Sequence, residues 1–404
     1  MPIDCCCRFR IHRRLRLIGL ALLMAACVSG PQHVAAADGA RADDAVVAPR
    51  PVPAARPDGP RLPQLQSPPP NSNAPARAHV PSQSAQPKAP LSPSHPSLRA
   101  APAGAEFAAA AARRKTAIGG VRNWGYQLAG LDIATAAQSP YELLVVDATT
   151  GVGDGNAMTV DDVKRLKMAT QGRRRLVVSY LSIGEAEDYR PDYFSTEYLE
   201  EDAPDWLMHE NPQWKGNRII SFCDEGWQQT ILGDENGRNV YNSIEASPLY
   251  RLVELGLDGV YLDRVDVYSE VGKTCPDAAR RMVSFVKRLA EHARRRNPDF
   301  LVILQNAEEL LRHRDMVETI DAIAKEDLFY GVDHSEAANG RDLVVETLDN
   351  LRLARRAGRP VFFVDYLRAP IKIADARRRG AAEGFIGYFG PRDLGTLWLP
   401  GRDY

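Results

Sequence analysis

Residues Leu257-Asp258-Gly259-Val260-Tyr261-Leu262-Asp263-Arg264-Val265-Asp266 run from an apolar stretch into two carboxylates. The stretch 259–263 is short and nearly continuous in apolar residues, and Asp263 closes it. That pattern predicts a strand covered on both faces, as in a parallel sheet. Working outward, the same pattern recurs at 123–127, 143–147, 175–182, 301–306, 322–326, 361–365 and 385–388. Amphipathic stretches separate several of these runs. In 277–296, Met282, Phe285, Val286, Leu289 and Ala293 share one helical face, and Pro276 and Asp277 signal the start. The stretch 341–357 repeats the design, with Gly358 and Pro360 as stop signals. Strands alternating with helices across 113–404 predict one α/β domain, a (β/α)8 TIM barrel. An open doubly wound sheet is the alternative, weakened because no Gly-rich phosphate loop follows the first strand. A further run at 218–222, between the third and fourth strands, predicts an insertion with its own hairpin or short strand.

The acids fall at strand ends. Asp147 ends the second strand, and Glu185 and Glu187 follow the third. Asp263 ends the fourth, with Asp266 just beyond it. Glu308 and Glu309 follow the fifth, Glu326 ends the sixth and Asp365 ends the seventh. Strand C-termini of such a barrel converge on one mouth, so these acids crowd together there. Crowded like charges raise pKa values and cost stability, which marks a functional cluster more often than an accident. The plainer reading is that several acids cap helices or pair with arginines, and Asp266 and Glu187 are the best candidates for it. Two chemistries use such a mouth: metal binding by hard oxygen ligands, and glycoside hydrolysis by a carboxyl pair. Aromatics in or near the strands, among them Trp124, Tyr126, Tyr180, Tyr261, Tyr330 and Tyr366, favour sugar, although each also suits core packing. No G-x-S-x-G nucleophile motif occurs, and 151–156 lacks the rest of a phosphate loop, so it reads as a mobile loop.

The chain of 404 residues opens differently. Arginines precede an uncharged run at 17–26, the layout of a secretory signal too short to span a bilayer. Residues 1–37 therefore read as a signal peptide or lipoprotein signal. Met24-Ala25-Ala26-Cys27 resembles a lipobox, with Cys27 as a lipid anchor, while Val34-Ala35-Ala36-Ala37 suits ordinary cleavage. Residues 38–112, rich in Pro, Ala and Ser, read as a disordered linker that cannot bury enough apolar surface to order itself. The expected location is the periplasm, the cell surface or the medium. The net charge of −1 conceals a basic leader and tether, so the domain is acidic, which argues against a nucleic-acid partner. Cys223 and Cys275 are the domain's only cysteines, as a disulfide or as two buried thiols, and no CxxC or HExxH motif implies a metal or other cofactor.

Three ordered motifs carry a resemblance: Tyr180-Leu181-Ser182-Ile183-Gly184-Glu185-Ala186-Glu187-Asp188-Tyr189, then 257–266, then Gln305-Asn306-Ala307-Glu308-Glu309-Leu310. Together they resemble glycoside hydrolase family 114, whose characterised members are endo-α-1,4-polygalactosaminidases. The segments Asn123-Trp124-Gly125-Tyr126 and Glu326-Asp327-Leu328-Phe329-Tyr330 also fit. The resemblance spans 113–404. It implies a retaining mechanism without metal, with Asp263 as nucleophile and Glu309 as acid/base; Glu308 is the neighbouring alternative. Trp124, Tyr126, Asp147, Tyr180, Glu185, Tyr261, Asn306, Glu326, Tyr330, Asp365 and Tyr366 are then expected to bind substrate. Arg264 stands where some members carry Asn, and Gln305 where some carry Lys, which bears on the substrate rather than the reaction. The implied partner is an extracellular, amino-sugar-rich polysaccharide, whose ammonium groups an acidic groove attracts. Two other readings compete: a non-catalytic polysaccharide-binding or envelope-assembly protein on the same barrel, and a metal-dependent hydrolase.

Overall fold

The computed structural model describes residues 104–149, 151, 157–169, 172–190, 193, 203–212, 214–239 and 246–399. The signal at 1–37, most of the linker at 38–112 and most of the loop at 151–156 lie outside the described residues. Helix α1 (Gly104–Gly119) begins before residue 113, inside the stretch assigned to the linker from its composition. Its alanines read as low complexity, yet Ala110, Arg114 and Ile118 form a buried face. No helix among the described residues is long and apolar enough to cross a membrane.

Eight parallel strands form the barrel: β1 (Trp124–Gln127), β2 (Leu143–Val146), β3 (Leu176–Ser182), β7 (Gly259–Asp263), β8 (Leu301–Gln305), β9 (Ala322–Glu326), β10 (Val361–Val364) and β11 (Ile386–Tyr388). Each lies within one residue of its expected bounds. The prediction succeeds because helices cover the outside and side chains fill the inside, so no strand needs a polar face. Helix α2 (Ile133–Ala137) separates β1 from β2, and α3 (Val160–Lys167) separates β2 from β3. Between β3 and β7 the insertion is a three-stranded antiparallel sheet of β4 (Glu185–Glu187), β6 (Asn217–Ile220) and β5 (Leu207–Glu210), in that order. Helices α4 (Glu225–Leu232) and α5 (Pro248–Glu254) then return the chain to β7. A disulfide joins Cys223, just before α4, to Cys275, just before α6 (Ala278–Arg296). Helix α7 (Arg314–Thr319) leads into β9, α8 (Arg341–Arg356) separates β9 from β10, and α9 (Pro370–Glu383) separates β10 from β11. Helix α6 buries Met282, Phe285, Val286, Leu289 and Ala293, the predicted face.

Aromatic rings fill the barrel. Trp124 stacks on Tyr126 at 5.9 Å and on Tyr261 at 6.3 Å, and meets Phe362 and Tyr388 at 5.5 and 5.6 Å. The indole also donates to the Ile386 carbonyl at 3.0 Å, fastening β1 to β11 where the barrel closes.

Candidate active site

Strand alternation decides which side chains face the mouth. Tyr180 and Tyr261 are register partners on β3 and β7, as are Ser182 and Asp263 one layer higher. Asp263 thus stands directly above the aromatic floor. The Tyr180 hydroxyl donates to its Oδ2 at 2.8 Å. On β9, Glu326 shares the inward face with Ala324, and it is held from two directions. Tyr366 donates its hydroxyl to Oε1, and Asn306 Nδ2 donates to Oε2 at 3.2 Å, while Asn306 Oδ1 accepts from the Glu326 backbone amide at 3.0 Å.

Asp263 is pushed up to about 7, first by burial, then by the charge of Glu326 and of Asp266; the Tyr180 hydrogen bond opposes this. Burial and the charges of Glu326 and Asp263 itself raise Tyr261, whose buried hydroxyl has no hydrogen-bond partner among the described residues. Asp263 and Glu326 therefore form the electrostatic centre of the mouth. Tyr126 belongs to the same floor, its hydroxyl 3.5 Å from Gln305 Oε1.

The chain leaves this centre through strained backbone. Arg264 after β7, Asn306 and Ala307 after β8, and Asp327 after β9 all have left-handed φ, between 49° and 56°. Non-glycine residues seldom adopt that conformation, and such strain gathers at functional sites. At Gly184 a Cβ would lie 2.1 Å from the Arg264 carbonyl oxygen, so only glycine lets the β3 exit pass the β7 exit.

Glu308 and Glu309 lie elsewhere. They begin a 3-10 turn (Glu308–Arg312) that the left-handed pair Asn306 and Ala307 turns aside. Glu308 is buried and pairs with Lys325 Nζ at 3.2 Å. Lys325 precedes Glu326 and so points to the outer face of β9. Glu309 is exposed, and is raised by burial of part of its surface and by Glu308, with Lys325 opposing and Glu346 of α8 adding to the rise. Neither figures among the charges that shift Asp263.

Other expected substrate contacts are engaged by the protein itself. Asp147 accepts from Thr149 and pairs with Arg190 at 2.7 Å. Burial pushes its carboxyl up, but Arg190 and Thr149 outweigh that and leave it below the ordinary range. Glu185 accepts from Asn211 at 2.7 Å and Asn217 at 2.8 Å, and pairs with Arg264 at 2.8 Å. Asp365, fully buried, accepts the Phe329 amide and is pushed up to about 7 by burial. Tyr330 donates to Asp375 of α9 at 2.9 Å. Trp124 is core. Glu187 and Asp266 pair with Arg190 and Arg264, as the plainer reading expected.

Arg190 escaped the sequence reading. It is buried, bridges Asp147 and Glu187, and lies 5.3 Å from the Tyr180 ring centroid. Arg392 escaped as well; it pairs with Asp327 at 2.6 Å and lies 4.4 Å from the Tyr366 ring. Both come from irregular segments, where no periodicity marks a side chain. No cluster of three or more His, Cys, Asp or Glu side chains suited to a metal occurs among the described residues.

The fold resembles the glycoside hydrolase domain of PelA from Pseudomonas aeruginosa, with a TM-score of 0.52 and 18% identity over 69% of this chain and 97% of that one. An uncharacterized protein of Deinococcus radiodurans is 35% identical over 291 residues, 71% of this chain and 85% of that protein. Another, from Methanocaldococcus jannaschii, is 30% identical over 298 residues, 68% of this chain and 79% of that protein. The model of glycoside-hydrolase family GH114 matches residues 104–399, essentially the whole barrel, and the chain belongs to that family.

Proposed function

We propose that this protein is an exported, endo-acting, retaining glycoside hydrolase that cleaves α-1,4-linked galactosamine-containing polysaccharide, with Asp263 as nucleophile and Glu326 as acid/base. The observations that carry the pairing are that both carboxyls end strands at the same mouth, that each accepts from a tyrosine hydroxyl, and that the charge of Glu326 is the first after burial to raise Asp263. Glu309, favoured by the family resemblance, faces α8 and Lys325 instead. Retention of configuration rests on that resemblance.

In the forward step Glu326 protonates the departing glycosidic oxygen while the Asp263 carboxylate attacks the anomeric carbon, giving a glycosyl ester. Glu326, now ionised, then takes a proton from water, and the resulting hydroxide equivalent releases the sugar and regenerates Asp263. Tyr366 and Asn306 hold Glu326 through both roles, and Tyr180 steadies the Asp263 charge.

A raised nucleophile also bears on the choice of sugar. Burial first, then the charges of Glu326 and Asp266, push Asp263 up to about 7, so its carboxylate is favoured where the substrate brings positive charge beside it. An ammonium group bound beside it stabilises the carboxylate and lowers that pKa. A galactosamine polymer brings such a group; a fully acetylated one does not.

The test uses purified protein and partly deacetylated α-1,4-galactosamine polymer, with products sized and their anomers followed by NMR. Asp263→Asn and Glu326→Gln are each expected to lose on the order of 10³-fold in rate, and Glu309→Gln less than about tenfold. With azide, Asp263→Ala yields an azide of inverted configuration and Glu326→Ala one of retained configuration. A large loss in Glu309→Gln beside an active Glu326→Gln would restore Glu309 as the acid/base. Retention of polymer without shortening would favour the binding-protein reading. Export is tested by fractionation of producing cells, in which Cys27→Ser releases the protein from membranes only if Cys27 is acylated.

A further inference from the structure

The two most exposed aromatic side chains among the described residues are Tyr189, 52% exposed, and Trp214, 59% exposed. Both belong to the insertion that follows β3. Tyr189 lies just beyond β4, and Trp214 in the turn between β5 and β6, closed by hydrogen bonds from Trp214 N to Asn211 O and from Asn217 N to Trp214 O, each 3.1 Å.

Tyr189 is exposed but held in place. Its hydroxyl lies 2.9 Å from Glu187 Oε1 and 3.3 Å from Asn217 Oδ1. The Arg190 guanidinium lies 5.7 Å from its ring centroid. Gly216 sits against its edge, where a Cβ would come within 3.3 Å of Cδ1. A side chain so fixed loses little entropy when a ligand settles on it, and a flat ring offers a large apolar area. A chain of contacts leads from it to Asp263: Glu187, which its hydroxyl meets, is 3.4 Å from the Tyr180 hydroxyl, and that hydroxyl donates to Asp263. Trp214 lies on the same three-stranded sheet, in the turn between β5 and β6.

We propose that this insertion is the outer floor of the polymer cleft: Tyr189 stacks a sugar unit beside the scissile linkage, and Trp214 stacks a unit farther along the same chain. The proposal rests on the glycosidase reading and adds where the polymer runs. A sugar ring suits these two sites better than a protein surface does. The Tyr189 ring is edged by hydrogen-bonding groups, Asn217 at its hydroxyl and Asp188 across Gly216 from its Cδ1 edge. A pyranose matches that arrangement, with an apolar C–H face inside a rim of hydroxyls. A protein interface is expected to need a larger apolar centre.

The test measures binding in the Asp263→Asn background, using α-1,4-linked galactosamine oligomers of three and eight units by calorimetry. Gels containing other polysaccharides, including a neutral glucan, serve as a retardation panel. Trp214→Ala is expected to weaken octamer binding about tenfold and leave the trimer unchanged, while Tyr189→Ala weakens both and Tyr189→Phe, which keeps the ring but loses its anchoring hydroxyl, weakens both by less. Melting curves superimposable on the parent's exclude misfolding of these surface variants. Equal octamer binding by the parent, Trp214→Ala and Tyr189→Ala overturns the proposal and leaves the rings to some other partner. If the parent ignores galactosamine oligomers but is retarded by another polymer, and Trp214→Ala relieves that, the cleft stands and the substrate falls. If the parent binds no saccharide of the panel, the cleft falls too.

Discussion

Burial and Glu326 together hold the Asp263 proton up to about pH 7, whereas the unfolded chain releases it near 4. Between those values the folded protein binds more protons than the unfolded one, so stability falls as pH rises through that window. Below about pH 4 both states are protonated and the effect vanishes. Asp263→Asn removes the titration while keeping a carbonyl to accept from Tyr180. The variant is therefore expected to be more stable than the parent at pH 8, by ~1–3 kcal/mol, and to match it at pH 4. Urea titrations at the two pH values measure this. An Asn variant no more stable at pH 8 would mean that Asp263 ionises freely. Such a gain from removing a reactive group is the usual signature of a site strained for function.

Elements show why some of the site was legible and some was not. Each barrel strand declared itself because burial on both faces leaves a short apolar run, but Asp147, Asp263, Glu326 and Asp365 all ended strands alike, so the pattern alone did not single out a pair. The path of the chain beyond a strand end is set by backbone conformation that sequence periodicity does not encode. Asn306 and Ala307 turn left-handed and carry Glu308 and Glu309 toward α8, although in sequence they sit at the mouth as plausibly as Glu326 does. Arg190 gains its meaning only where the ends of β2 and β3 meet, and Arg392 only where the chain returns past β11. The insertion was legible as a hairpin from one apolar run, but its anchoring was not. Glu185 ties it to Arg264 at the β7 exit, and the Cys223–Cys275 disulfide ties its far end to the segment before α6. With the cysteines 52 positions apart, losing the link is expected to cost about 2–4 kcal/mol. Chemical denaturation of the Cys223→Ser, Cys275→Ser double variant checks this. A change below the error of the measurement would show that packing alone positions the insertion.

At the scale of the whole molecule, closure of the barrel and control of Glu326 meet in one segment. Strands β1 and β11 are joined by the Trp124 indole, and the chain after β11 then crosses the seam. Leu394 O accepts from Leu128 N at 2.9 Å and from Ala129 N at 3.2 Å, Gly395 O accepts from Gln127 at 3.0 Å, and Trp398 N donates to the Tyr388 hydroxyl at 3.0 Å. Leu394 and Leu397 are buried beneath this strap. From the same segment Arg392 reaches Asp327 and the ring of Tyr366, the residue that grips Glu326. Stability and catalysis should therefore separate cleanly. Truncation after Phe389 removes the two leucines and uncovers the seam they bury, and is expected to cost about 3–6 kcal/mol and most of the activity. Arg392→Ala removes only a half-exposed ion pair, so its effect on stability should stay within about 1 kcal/mol. Its effect on kcat should be larger, about tenfold, because Tyr366, whose hydroxyl holds Glu326, loses the cation against its ring. Thermal melts and rates on the same preparations distinguish the two. Were Arg392→Ala to melt lower and keep full kcat, the strap would serve the seam alone and Tyr366 would be positioned by the barrel.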